Sequence, residues 1–152
     1  MHTPPEGVPV RRTQTPVLRW VPLVVVGGAA GTALRAGLGG AFPVPATGVP
    51  WTTLAINVGG SFLLGLLIET LAAGDPDRGW RRTVRLTVGT GVLGGFTTYS
   101  TVMLETAERL RDGQAIVAIG YLVVTVLLGV GAAFAGMALA SSHARRRREE
   151  RR

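Results

Sequence analysis

The segment Gly94–Thr101 restricts the possible folds of this chain more than any other feature. It reads Gly-Gly-Phe-Thr-Thr-Tyr-Ser-Thr, and it interrupts a charge-free stretch, 86–104, that is long enough to cross a bilayer. Hydrocarbon offers a backbone group no hydrogen-bond partner, so such a hydroxyl-rich break persists at that depth only where it faces protein, water or an ion. The segment therefore predicts a third span that is broken at mid-membrane, with a polar site beside the break.

The remaining composition is typical of a membrane protein. Of the 152 residues 47% are apolar, and two further charge-free stretches, 36–68 and 113–142, contain enough residues for a spanning helix. A fourth candidate begins at Trp20 and closes on Arg35, whose long side chain is expected to snorkel to the lipid headgroups. We predict an all-α membrane protein with four transmembrane helices, at about 20–38, 51–72, 82–104 and 115–140.

The two ends of the chain differ from the apolar middle. Residues 1–18 hold four prolines and are predicted to be a disordered cytoplasmic tail; 19–142 form the four-span membrane domain, and 143–152 a basic cytoplasmic tail. With four spans, thirteen arginines share the side of the termini, whereas only Arg109 and Arg111 lie on the other side. This bias predicts a multi-pass protein of the inner (plasma) membrane with both termini in the cytoplasm, its basic tail facing membrane lipids and not nucleic acid.

Besides the break, three polar features fall at membrane depth, where each needs an explanation. Thr53 and Asn57 lie one turn apart on the second span, and Tyr121 and Thr125 one turn apart on the fourth. Glu105 lies at the mouth of the third span. Their ordinary explanations are interhelical hydrogen bonds for the first pair, a packing or interfacial aromatic for Tyr121, and a solvated helix end for Glu105, which is slightly favoured.

Three blocks of sequence together resemble the signature of the CrcB/Fluc fluoride channels. They are Gly-Thr-Ala-Leu-Arg at 31–35, Thr-Leu-Ala-Ile-Asn-Val-Gly-Gly-Ser-Phe-Leu-Leu-Gly at 53–65, and the run through the break at 89–105. The similarity covers about 20–140, all four spans in order. It implies a fluoride-specific channel that lets cytoplasmic fluoride leave passively. It also implies a dual-topology-type antiparallel dimer with a structural sodium ion at its centre.

The resemblance also assigns residues of this chain to the site. The carbonyls of Gly94 and Thr97 would hold sodium, Asn57 would be the pore asparagine, and Tyr99 the first aromatic whose ring edge faces fluoride. The second aromatic position falls on Val102, which departs from the family pattern. The polar track along the pore would draw on the following side chains: Thr53, Ser100, Thr101, Glu105, Tyr121 and Thr125.

The chemistry of these residue types agrees with an anion path. Amide and hydroxyl groups are neutral donors that can replace the water around fluoride without trapping it, and aromatic edges carry positive quadrupole charge. Carbonyls released by a helix break suit a hard cation. The chain has no cysteine, which excludes thiol chemistry and a Cys-ligated metal site, and its histidines, His2 and His143, lie in the terminal tails. With the channel interpretation, no enzyme is expected.

Two other functions and the identity of the partner stay open at this point. A small four-span proton-coupled multidrug exporter would need a membrane carboxylate, for which Glu69 and Glu105 are the candidates, and a non-transporting accessory subunit would need none. The arginine bias further predicts a single orientation in the membrane. An antiparallel dimer would then be a heterodimer with a homologous chain of opposite bias.

Overall fold

The computed structural model describes residues 17–45, 47–72 and 79–149, and every regular element within these ranges is helical. Residues 1–16, which make up most of the predicted disordered tail, lie outside the described residues, as do 150–152 of the basic tail. After a 3₁₀ turn at Val17–Trp20, the long helices are α1 (Val21–Ala41), α2 (Trp51–Ala72) and α6 (Ala115–Glu149). Between α2 and α6 lie α3 (Trp80–Val84), a π-helical segment (Arg85–Leu93), α4 (Gly94–Phe96) and α5 (Tyr99–Arg111).

Prolines and glycines place the ends of the long helices. Pro22 lies in the first turn of α1, where its missing amide hydrogen leaves no bond unmade. Pro45 and Pro50 cannot continue a helix, and α2 begins directly after them. After α5 the chain reverses through Gly113, whose φ of 74° lies in the left-handed region that favours glycine.

Three helices are long and apolar enough to cross a membrane, judged by length and composition. They are Leu18–Ala41, Trp51–Ala72 and Ala115–Arg146, and they correspond to the first, second and fourth predicted spans. The last helix continues to Glu149, past the predicted end of its span at 140. The stretch predicted as the third span is divided into shorter helices. Its backbone becomes extended at Thr97 (ψ 154°) and Thr98 (ψ 119°), before α5 begins.

The large apolar side chains mostly face outward. The small buried cluster contains Leu54, Val102 and Tyr121, whereas side chains such as Val26, Leu127 and Phe134 are exposed. A soluble domain would bury such residues, so this surface requires lipid or another apolar partner.

Glycines set the close approach of the helices. A Cβ added to Gly136 of α6 would collide with the carbonyl oxygen of Phe62 on α2, and one added to Gly65 would collide with that of Ala133 on α6. A Cβ added to Gly31 of α1 would likewise collide with the carbonyl oxygen of Val92 in the π-helical segment. These backbones touch because no side chain separates them, which is how small residues pack membrane helices.

Because of this contact, we expect Gly136→Leu to prevent folding of most of the protein. A collision with backbone cannot be relieved by a change of rotamer, so its cost should exceed the roughly 1–3 kcal/mol of ordinary overpacking. The matched control is Gly131→Leu on the same helix, where a Cβ meets nothing within 4 Å. Detergent extraction followed by size-exclusion chromatography should give a monodisperse peak for the control only. Equal recovery of the two variants would contradict this packing.

Candidate functional site

The extended backbone at the break is held by one side chain of α2. The amide N–H of Thr98 donates to Asn57 Oδ1 at 2.8 Å, and Asn57 Nδ2 donates to the carbonyl oxygen of Thr98 at 3.0 Å. Only one orientation of the side-chain amide satisfies both bonds, since Oδ1 accepts and Nδ2 donates. Asn57 thus supplies hydrogen bonds that a continuous helix would otherwise provide.

Thr98 organises the hydroxyl groups that follow the break. Its Oγ1 accepts the backbone amide of Thr101 at 3.1 Å and caps the start of α5. The same oxygen lies 2.9 Å from Thr101 Oγ1 and 3.3 Å from Ser100 Oγ. Ser100 and Thr101 were predicted site residues, whereas Thr98 was not. The signal for Thr98 was present in the sequence, because a threonine just before a helical run is a typical N-cap.

Two carbonyl groups at the break have lost the donors that a helix would give them. In an uninterrupted α-helix the amide of Thr98 donates to Gly94 and that of Thr101 donates to Thr97. Here the first amide donates to Asn57 Oδ1 and the second to Thr98 Oγ1. Gly94 and Thr97 therefore offer carbonyl oxygens of the kind that a hard cation prefers.

Two carbonyls lie between them, and that of Gly95 is occupied from α1. Arg35 Nε donates to the carbonyl oxygen of Gly95 at 3.3 Å, and Thr32 Oγ1 donates to the same oxygen at 3.4 Å. The expectation that Arg35 snorkels to the headgroups is therefore wrong. The break leaves the carbonyl of Gly95 within reach of Arg35, and a charge-assisted hydrogen bond gives the Nε–H a partner inside the protein.

Glu105 forms the centre of a second polar cluster. Thr53 Oγ1 donates to Glu105 Oε1 at 2.6 Å, and the Tyr121 hydroxyl donates to Oε2 at 2.7 Å. Glu105 is only 7% exposed, so the favoured expectation of a solvated helix end is wrong. The structure thus brings together three predicted site residues from three helices. Thr125 is buried nearby and donates to the carbonyl oxygen of Tyr121.

A row of cavities with shared walls follows these polar groups. An open groove of about 400 Å³ is lined by Asn57, Thr97, Thr98, Tyr99 and Thr125, among others. A second cavity, of about 180 Å³, shares Thr98 with the groove and is also lined by Arg35, Thr53, Thr101 and Glu105. A third, of about 490 Å³, shares Thr101 and Glu105 and reaches the turn that holds Arg109, Arg111 and Asp112. Every predicted polar residue except Ser100 and Tyr121 lines at least one of the three.

The two positions assigned to pore aromatics differ in their surroundings. Tyr99 lines the open groove and is 75% exposed, so its ring has little of this chain packed on it. Val102 lines the same groove but is 4% exposed, and it packs with Leu54 and Tyr121. The groove is therefore open on the Tyr99 side, where a further surface would be needed to enclose an ion.

Arg109 closes the far end of the row. Its buried guanidinium group donates to the carbonyl oxygens of Gly48 at 2.6 Å, Glu105 at 3.1 Å and Pro45 at 3.2 Å. These bonds tie the loop between α1 and α2 to the backbone of α5. The sequence alone indicates Arg109 only as one of the two loop arginines on the side away from the termini.

We expect Glu105→Leu to destabilise the protein through its two hydroxyl partners. Thr53 and Tyr121 would each lose a buried acceptor, at a cost of about 1–3 kcal/mol per hydroxyl. Glu108→Leu is the matched control, because Glu108 is exposed on the same helix. Thermal unfolding in detergent should show a much lower midpoint for Glu105→Leu than for the control. Equal midpoints would mean that the cluster adds nothing to stability.

Taken together, the apolar outer face and the three long apolar helices define a helical membrane protein, in which polar side chains of several helices line neighbouring cavities. The chain belongs to the CrcB-like family: the family model described as "CrcB-like protein, Camphor Resistance (CrcB)" matches residues 22–137. The resemblance indicated by the three sequence blocks is thereby confirmed.

Curated relatives match most of the chain. "Fluoride-specific ion channel FluC 1" of Cutibacterium acnes is 51% identical over 114 residues, covering 75% of this chain and 78% of the relative. "Fluoride-specific ion channel FluC 2" of Leifsonia xyli subsp. xyli is 46% identical over 135 residues, covering 87% and 92%. "Fluoride-specific ion channel FluC" of Hyphomonas neptunium is 45% identical, covering 78% and 92%. These names are those of ion channels, and the chain is not an enzyme.

Proposed function

We propose that this chain is a fluoride-specific channel subunit, through which cytoplasmic fluoride leaves the cell passively. Neutral HF crosses membranes and ionises inside, so an exit for the anion lowers fluoride toxicity. The relatives named as fluoride-specific channels support this assignment. The observation that carries it is the groove at the break, where an amide and several hydroxyl groups line one space.

The lining of the path is suited to an anion that must pass without being trapped. Fluoride is small and strongly hydrated, so it needs close hydrogen-bond donors in place of water, and neutral donors hold it less tightly than cations would. Asn57 uses one Nδ2 hydrogen for Thr98, which leaves the second for a ligand in the groove. Tyr99 adds an aromatic edge. The hydroxyl groups of Ser100, Thr101 and Thr53 continue the donors toward Glu105.

The arrangement in the membrane is part of the proposal. The stretch from Trp80 to Arg111 is the third of four spans, and Thr97 and Thr98 form its break near the midplane. Two copies of the fold in antiparallel orientation would cover the open side of each groove, beside Tyr99. The channel lies in the inner (plasma) membrane with both termini of this chain in the cytoplasm.

A structural sodium ion belongs to the same proposal. The released carbonyls of Gly94 and Thr97 would hold it at the dimer centre. When bound, a cation there would make the local potential more favourable for an anion. Carbonyl ligation fits the chemistry of these residues, because both carbonyls are freed by hydrogen bonds that the break redirects.

The carboxylates that a proton-coupled exporter would need are both engaged. Glu69 Oε1 accepts from Ser141 Oγ at 2.8 Å, and Glu105 accepts from two hydroxyls. Both carboxylates thus have partners within the helix bundle, and the relatives reported above are named as channels. The exporter is therefore not proposed.

Efflux from proteoliposomes tests the proposal. The chain, co-expressed with a homologous partner where one is needed, is reconstituted with internal potassium fluoride or chloride, and valinomycin releases the counter-charge. A fluoride electrode should record rapid efflux, and a chloride electrode should record none above that of empty vesicles. Equal fluxes of the two anions, or no fluoride flux with a competent partner present, would refute the channel. The second outcome would favour a non-transporting accessory subunit.

A further inference from the structure

We infer that Asn57 is also the positioning residue for the cation site, because it keeps the carbonyl of Gly94 out of the helix. This role goes beyond donating a hydrogen bond to fluoride. It rests on the proposed function, since the sodium ion is itself proposed. The role involves the amide hydrogen of Thr98, which can bond to one of two acceptors, the carbonyl oxygen of Gly94 or Asn57 Oδ1.

The Thr98 amide has two possible acceptors, on Gly94 and on Asn57. Continuation of the helix would direct the Thr98 amide to the carbonyl of Gly94, four residues earlier. In the structure it donates instead to Asn57 Oδ1 at 2.8 Å. Thr98 is 8% exposed, so water is a poor alternative partner, and an unpaired buried amide costs about 1–3 kcal/mol. Without Oδ1, this amide would regain a partner by closing the helix onto Gly94.

The neighbouring hydrogen bonds select which carbonyls stay open. That of Gly95 accepts from Arg35 and Thr32 of α1, so it is already occupied. The amide of Thr101, which would bond the carbonyl of Thr97 in a continuous helix, donates to Thr98 Oγ1 instead. Only the carbonyl of Gly94 depends directly on α2 and on Asn57. Asn57 therefore determines whether one of the two proposed cation ligands, the carbonyl of Gly94, is available.

This arrangement couples the two ions. Asn57 lines the anion groove and, through Thr98, controls a cation ligand on the other side of the break. Any change in Asn57 that closes the helix should weaken cation binding, even where no anion is present. By linkage, a bound cation should hold Asn57 in the geometry in which its second Nδ2 hydrogen remains for fluoride.

The test measures sodium binding without measuring transport. The purified full chain, with its dimer partner where one is needed, is titrated with sodium chloride against N-methylglucamine chloride at constant ionic strength. The unfolding midpoint of the unaltered protein should rise and saturate. In Asn57→Leu, the half-saturating sodium concentration should rise at least about tenfold, which corresponds to the lost amide partner. Asn57→Asp keeps an oxygen acceptor for the Thr98 amide, although it loses the donor to the Thr98 carbonyl, so it should retain a sodium response.

Thr70→Val serves as the control. Thr70 lies on the same helix and donates to the carbonyl oxygen of Leu66, away from the groove and the break, so its replacement should leave the sodium response unchanged. An unchanged response in Asn57→Leu would overturn the inference and leave the channel standing. Should that variant not fold, a lost response in Asn57→Asp would overturn it equally. A wild-type protein indifferent to sodium would overturn both the cation site and this role, whereas fluoride efflux would still be decided by the separate flux assay.

Discussion

Fluoride efflux through the Asn57→Asp variant should be lower than that of the unaltered protein by at least about tenfold, although the variant folds. The carboxylate has the shape of the amide and keeps an acceptor opposite the Thr98 amide. It loses the N–H donors, including the one that bonds the Thr98 carbonyl at 3.0 Å, and can place a negative oxygen beside the anion path. Like charges brought together cost several kcal/mol, and about 1.4 kcal/mol already changes a rate or equilibrium tenfold. Initial efflux rates from proteoliposomes in sodium-containing buffer measure the effect.

The matched control for this variant is Gln114→Glu. It makes the same change from amide to carboxylate, and Gln114 also accepts a backbone amide through its side-chain oxygen, from Gly48 at 3.3 Å. Gln114 lies outside the groove, so its efflux should remain near that of the unaltered protein. An equal loss in both variants would mean that added negative charge suffices anywhere on the protein. Unchanged efflux in Asn57→Asp would remove Asn57 from the anion path.

The same variant separates the two roles of Asn57. As a hydrogen-bond donor in the groove, Asn57 would bind fluoride. As the acceptor for the Thr98 amide, it would keep the carbonyl of Gly94 available to the cation. The carboxylate of the Asn57→Asp variant would lack the first function and keep the second. Reduced efflux with a retained sodium response in Asn57→Asp, together with a weakened sodium response in Asn57→Leu, is the combination that a dual role predicts, because a simple folding defect would lower both quantities in both variants.

Local chemistry explains which parts of the fold the sequence could predict. Prolines and turn glycines mark the ends of helices, so α2 begins and ends where it was expected, at Trp51 and Ala72. The end of α6 was harder to predict, because the arginines that follow the apolar run are themselves good helix formers. The helix accordingly continues to Glu149.

The errors concern residues whose partners are distant in the sequence. Thr53 and Asn57 share one face of α2, yet the first contacts Glu105 and the second contacts Thr98. Nothing within α5 indicates that two hydroxyls from other helices enclose Glu105. Likewise, Arg35 closes an apolar stretch like any snorkelling residue, and its bond to Gly95 depends on a break sixty residues later. Such contacts exist only once the helices are packed.

Expressed alone, this chain should insert with at least about nine in ten molecules having both termini in the cytoplasm. Thirteen arginines favour that orientation and two oppose it. The structure adds that Arg109, one of the two, is buried against three backbone carbonyls. On the favoured side, Arg19 and Arg82 flank the ring of Trp20, at 4.5 and 5.2 Å from its centroid, as a belt of aromatic and basic groups at a membrane surface would.

The absence of cysteine from the sequence makes this orientation directly measurable. Single cysteines at Asp112, in the turn before α6, and at His143, near the end of α6, are both in exposed positions. In intact cells a membrane-impermeant maleimide should label Asp112→Cys and not His143→Cys, and lysis should equalise them. Truncation after residue 143 removes the tail arginines but keeps those of the second loop, so it should leave the labelling pattern unchanged.

A chain held in one orientation cannot pair with itself in antiparallel fashion. We therefore expect fluoride efflux to require a second, homologous chain whose loop charges have the opposite bias, and to be absent when this chain is purified alone. The open groove beside Tyr99 would then be completed by the other subunit. Near-equal labelling of the two cysteine positions in intact cells, or robust efflux from this chain alone, would contradict the heterodimer. Either result would still leave the channel itself in place, since a homodimer of mixed orientation would cover the same groove.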